Sequence, residues 1–161
     1  MKLTALLPYA KVVGVLALLW AGLWAFNNKG CRRIEGAEMA PTFAADKMKL
    51  IAPRVRHPSQ LERGDVVSYT ANIGRGTKNV AARVIGLPGD RVRIEKGVVY
   101  LNGAALAAES VAANNRSDDD YAEIIVPRDS VFVLCDNRKQ GLTLDSRALG
   151  PVSAWAINGR F

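Results

Sequence analysis

Residues 82–103 read ARVIGLPGDRVRIEKGVVYLNG. Valine and isoleucine alternate with charged residues from Arg91 to Glu95, and a second β-type run follows from Val98 to Leu101. Period-two alternation with β-branched residues is the pattern of a half-buried strand. The Glu95-Lys96-Gly97 segment between them predicts a hairpin. Upstream, Gly86, Pro88, Gly89 and Asp90 form a tight-turn signal, with proline followed by glycine. The same reading extends outward to KMKLIAP (47–53), GDVVSYTA (64–71), NVAARVIGL (79–87), AEIIVP (122–127) and DSVFVLCD (129–136). Each is short, rich in Val, Ile or Tyr, and bounded by Gly, Pro or Asp. No segment after Gly30 holds a helical period over eleven residues. The small, polar stretch AALAAESVAANNRSDDD (104–120) reads as a surface loop. The expected architecture is mainly β and largely antiparallel, preceded by one N-terminal helix.

That helix is the most apolar part of the chain. Val12–Phe26 is an uncharged run of 15 residues, and LTALLPYA precedes it, separated by Lys11. A spanning helix needs roughly 20 residues. Lys11 can snorkel to the interface, and Trp20 and Trp24 stand four apart where interfacial aromatics sit. The following AFNNKGCRR is a poor cleavage site, so an uncleaved transmembrane anchor is expected rather than a signal peptide. Residues 1–30 are assigned to the anchor and its basic flank, and 31–161 to the β domain.

The charge follows the same division. The chain of 161 residues has 22 Lys and Arg against 15 Asp and Glu, a net charge of +7. Residues 1–33 hold Lys2, Lys11, Lys29, Arg32 and Arg33 and no acid, so the remainder is nearly neutral. A basic, apolar leader on a neutral domain points to membrane lipid as a partner, and no aromatic-basic stripe points to nucleic acid. Two cysteines, Cys31 and Cys135, lie outside any C-x-x-C spacing, and His57 is the single histidine. No metal or cofactor is implied. Cys31 and Cys135 are compatible with either a disulfide or two free thiols.

Several short segments, in order, carry a resemblance: EGAEMAPTF (35–43), RGDVV (63–67), ARVIGLPGDRV (82–92), VYLNG (99–103), CDNR (135–138) and DSRALGPV (145–152). Together with the leader they resemble bacterial signal peptidase I. That family's pattern runs from G-x-S-M-x-P-T-L through K-R-V-I-G-L-P-G-D to G-D-N-R and D-S-R. The resemblance implies a coiled, largely antiparallel β domain on the outer side of the bacterial cytoplasmic membrane, single-pass. It implies a serine nucleophile, a lysine base with a pKa lowered by burial, and an extended signal peptide lying as an added strand.

The motifs place Glu38 at the nucleophile position and Ala82 at the base position, so neither dyad member is present. Gly36, Ala37, Glu38 and Met39 on one side, and Asn79, Val80, Ala81 and Ala82 on the other, correspond to the substrate groove. Pro41 and Thr42 shape the turn. Asp136, Asn137, Arg138, Asp145, Ser146 and Arg147 correspond to the supporting box, with Asp145–Arg147 or Asp136–Arg147 as candidate pairs. Two departures stand out: the family's glycine before Asp136 is Cys135, and KQGLTL (139–144) is about two residues longer than the usual form. Lys78 shares a strand face with Ala82 but lies four residues away, roughly 13 Å at about 3.3 Å per residue. On that distance it does not replace the base. Glu38 is expected to be partly exposed or bonded to backbone N–H groups, since Arg83 faces the opposite side of its strand.

These residues imply a non-catalytic, signal-peptidase-like membrane protein that binds signal peptides or modulates a partner peptidase. The alternatives are an active signal peptidase I with a modified mechanism, and a structural or interaction module in a membrane assembly.

Overall fold

The computed structural model describes residues 7–28, 30–33, 36–44, 48–51, 55–74, 76–107, 117–139 and 144–161. An N-terminal helix, α1, runs from Leu7 to Asn28. Its large apolar side chains from Val12 to Trp24 are exposed. The expectation of a membrane-spanning helix is corrected here. Among the described residues no helix is long and apolar enough to cross a membrane. Lys11 breaks the apolar stretch, and the uninterrupted run beyond it falls short of the roughly 20 residues a span requires.

The rest is antiparallel β. Strands β1 (Gly30–Arg33) and β2 (Met48–Ile51) form a ribbon. The central sheet uses β3 (Val66–Ile73), β4 (Gly76–Gly86), β9 (Ser130–Leu134), β10 (Val152–Ser153) and β11 (Ile157–Arg160), in the order β10-β9-β4-β3-β11. A second sheet uses β5 (Arg91–Glu95), β6 (Val98–Leu101), β7 (Ala104–Ala105) and β8 (Tyr121–Ile125), in the order β7-β6-β5-β8. The hairpin expected at 95–97 joins β5 and β6, with Glu95 opposite Val98. Lys96 and Gly97 both have positive φ, 46° and 75°, the conformation a two-residue hairpin loop needs. Gly97 cannot be enlarged, because a Cβ there would lie 1.9 Å from the Ser117 carbonyl oxygen.

Strand alternation gives the central sheet two faces. One face carries Val67, Tyr69, Val80, Ala82, Val84, Val131, Val133 and Cys135 in the larger core. On the other, Ile85, Phe132 and Leu134 meet Val92, Ile94 and Val99 of the second sheet. Each fully buried Val or Ile contributes about 1.5–3 kcal/mol through removal from water. The 87–90 turn connects the two sheets. Asp90 accepts hydrogen bonds from the Leu87 N–H at 2.7 Å and from Asn102 Nδ2 at 2.9 Å, and Arg63 grips both its oxygens.

Candidate functional site

The site forms where the Gly36–Phe43 turn meets β4. β4 pairs with β3 from Gly76 to Arg83, but with β9 only from Arg83 to Gly86. Between Gly76 and Ala82 its second edge has no strand partner among the described residues. The turn approaches this part of β4, and several bonds hold it there. The Asn137 N–H donates to the Glu38 carbonyl at 2.8 Å, and Asn137 Nδ2 to the Ala37 carbonyl at 3.0 Å. Thr42 Oγ1 donates to Asp136. Met39 is fully buried against Val66 and Ala81, with Phe43 and Phe161 packed around it.

Glu38 does not sit as the sequence suggested. It is 3% exposed. Lys78 Nζ donates to its Oε1 at 2.6 Å. The other oxygen, Oε2, is enclosed and has no hydrogen-bond partner among the described residues. Gly36, with φ of +88°, makes room for it: a Cβ there would stand 2.3 Å from Oε2. The carboxylate is therefore buried and paired with a cation, rather than exposed or held by backbone N–H groups. The dismissal of Lys78 is corrected with it. The spacing along β4 measured the gap from Lys78 to position 82. Lys78 and the Glu38 carboxylate meet at 2.6 Å across two segments, a contact that spacing along one strand does not measure.

Ala82 is fully buried, and Val80 and Ala81 nearly so. Val80 and Ala82 lie in the core with Cys135 and Tyr69. Of the eight residues assigned to a groove, only Gly36 is exposed, while Ala37 and Asn79 are half-buried. Cys135 is a free, buried cysteine. Its thiol pKa is pushed up by burial, and the Asp145 and Glu38 carboxylates add to the shift. The Cys31 side chain lies outside the described residues.

The supporting residues split into two ion clusters. In the first, Arg83 grips Asp136 through Nε at 2.8 Å and through Nη2, and donates to the Gly64 carbonyl at 2.8 Å. Asp136 raises the Arg83 pKa, against the effect of burial. In the second, Asp145 is fully buried and pairs with Arg147 at 2.8 Å. Asp145 also accepts from the Cys135 N–H at 3.0 Å and caps the short helix α2 (Ser146–Leu149) through the Arg147 N–H. Ser146 Oγ accepts from the Val133 N–H at 2.9 Å. Arg138 donates to the Gly97 carbonyl at 2.7 Å and pairs with Asp119, which also binds Arg147. Asp136 thus pairs with Arg83 and not with Arg147. Asp119 was missed because it lies in a stretch that reads as a featureless loop.

Burial by itself would push the Asp119 carboxyl upward, but the Ser117 hydroxyl and the two arginines hold it below the usual carboxylate range. Asp90 is depressed in the same way by Arg63, Asn102 and the Leu87 N–H, against burial. Depressed carboxyls stabilise the fold above their unfolded pKa, about 3.9, and lose that contribution as pH falls through the folded value. The urea midpoint is therefore expected to hold down to about pH 4 and to fall below it. A midpoint unchanged between pH 5 and pH 2 would contradict these assignments.

Comparison with known proteins gives a consistent answer. The family model described as signal peptidase, peptidase S26, matches residues 6–161. The chain is 32% identical over 161 residues to a probable signal peptidase I-2 of Synechocystis, covering 96% of this chain and 70% of that one. It is 29% identical to a signal peptidase I of Bacillus amyloliquefaciens over 154 residues, covering 91% and 80%. Among solved structures, a signal peptidase I from Enterococcus faecalis matches with a TM-score of 0.50 at 29% identity, over 63% of this chain and 96% of that one. With an antiparallel β fold and a family match over nearly its whole length, the chain belongs to the signal peptidase family, peptidase S26.

Proposed function

We propose that this protein is a non-catalytic signal peptidase homologue that holds an extended peptide, or pairs with an active peptidase, without cutting. The observation that carries this is the buried Glu38–Lys78 pair at the position the motifs assign to the nucleophile. A carboxylate attacks or activates water only if water can reach it. The Glu38 side chain is 4% exposed and one of its oxygens is already bonded to an ammonium group. Ala82, at the base position, has no titratable group. Lys78 is the strongest argument for the rival, an active enzyme with a modified mechanism. Its ammonium is bonded to Glu38, which leaves it without a free base to offer.

The edge of β4 from Gly76 to Ala82, which has no strand partner among the described residues, supports peptide binding. Backbone groups of an unpaired edge can accept an added strand, with small side chains packing between. We place α1 at the membrane, its exposed apolar side chains against lipid and Lys11 at the interface. The outer side of the bacterial cytoplasmic membrane, where signal peptides emerge, is the place that the family resemblance implies for the β domain, and α1 is not read as a span. The test is a binding titration of the detergent-solubilised full chain with a labelled Ala-x-Ala signal peptide. Saturable binding is expected. No binding at high micromolar peptide would remove the peptide-holding role and favour a purely structural module.

A further inference from the structure

We infer that Cys135 fills the space beside Ala82 into which a longer side chain at position 82 would extend. The two positions then form a volume pair, small at 82 and larger at 135. This rests on the reading of Ala82 as the base position, but concerns packing rather than peptide binding. Both residues are fully buried, and both belong to one core cluster. Cys135 Sγ lies 3.9 Å from the Ala81 carbonyl oxygen, against the edge of β4. Cys135 has little freedom to withdraw, because its N–H is fixed to Asp145 at 3.0 Å and Asn137, two residues on, is fixed to Glu38 at 2.8 Å.

Protein interiors leave few voids, and extra methylenes in a packed core force neighbours off their rotamers. A lysine at 82 would push a four-carbon stem into this region. It would also bring a second cation toward a carboxylate that Lys78 already neutralises. The motif pattern carries glycine where Cys135 stands and lysine where Ala82 stands. Each departure makes room for, or fills the room left by, the other. Loss of the base and closure of its space are therefore one packing change, and the single substitution Ala82→Lys does not reverse it.

A stability cycle tests this without any peptide. Ala82→Met, an uncharged probe of about lysine's length, is measured alone and with Cys135→Gly, and Cys135→Gly is measured alone. Ala82→Val serves in the same cycle if the methionine variant does not fold. The thermal-midpoint cost of enlarging position 82 is expected to shrink, on the order of 5 °C, when Cys135 is glycine. Additive costs would overturn the inference, since residues that do not share space do not couple. The cycle reads midpoints only, so failure of the peptide-binding test leaves its outcome unaffected.

Discussion

Asp145→Ala is expected to destabilise the fold by about 3–5 kcal/mol, enough to leave a marginal domain largely unfolded. Asp145 is fully buried, and removing its carboxylate breaks several interactions together. Arg147, whose side chain is only 10% exposed, loses one of its two carboxylate partners at 2.8 Å and keeps Asp119. The Cys135 N–H loses its acceptor inside the core, and α2 loses its N-cap. A buried cation stripped of its most buried carboxylate and an unsatisfied buried N–H are both costly, and a lost cap adds about 1 kcal/mol. Asp145→Asn should cost clearly less, since its side-chain oxygen can still accept from a backbone N–H. Glu123→Ala is the control: Arg91 and Glu123 are both about half exposed and 3.7 Å apart, a pair worth little. Urea denaturation of the three variants checks the order. Equal costs for Asp145→Ala and Glu123→Ala would refute the assignment of Asp145 as the buried centre of its cluster.

Lys78→Met is expected to be the second large effect, and to exceed Glu38→Gln. Removing the ammonium leaves Glu38 charged and enclosed without its cation, and its second oxygen already has no hydrogen-bond partner among the described residues. Breaking a buried pair this way costs about 3–5 kcal/mol. Lys78 is 30% exposed, which screens the pair and brings the expected cost to roughly 2–3 kcal/mol. Glu38→Gln leaves behind only a lysine that can turn to solvent, so its cost should be smaller. The double variant Lys78→Met with Glu38→Gln should recover part of the loss, as a neutral pair carries no stranded charge. Thermal melts of the three variants measure this. Equal penalties for the two single variants would show that the carboxylate is not the buried partner.

Much of the fold was legible because its signals are local. Alternation at Arg91–Glu95, the Lys96-Gly97 loop and the Leu87–Asp90 turn each lie within a few residues, and the hairpin formed where the pattern placed it. The Asp145–Arg147 pair was legible for the same reason, being two residues apart. The electrostatics of the site were not. Glu38 and Lys78 are 40 residues apart, and only the approach of the Gly36–Phe43 turn to β4 brings them together. Reasoning along a single strand measured the wrong gap. Asp119 had no signal at all, because an acid in a polar run looks solvated until Arg138 and Arg147 are placed beside it. Burial of Met39 and Val80 was hidden for a related reason. A motif marks where a chain passes a site, while the packing of neighbouring segments decides whether its side chains line a groove or fill the core.

The proposed function sets the buried Glu38–Lys78 pair at the position where the motifs expect a nucleophile. Its most direct test is processing of a preprotein carrying an Ala-x-Ala cleavage site by the detergent-solubilised full chain. An active family member runs in parallel on the same substrate, and mass spectrometry reads the products. The preprotein is expected to stay intact with this protein while the active relative processes it. Cleavage at the expected bond, lost on Glu38→Gln or Lys78→Met, would overturn the proposed non-catalytic role and make the Glu38–Lys78 pair catalytic.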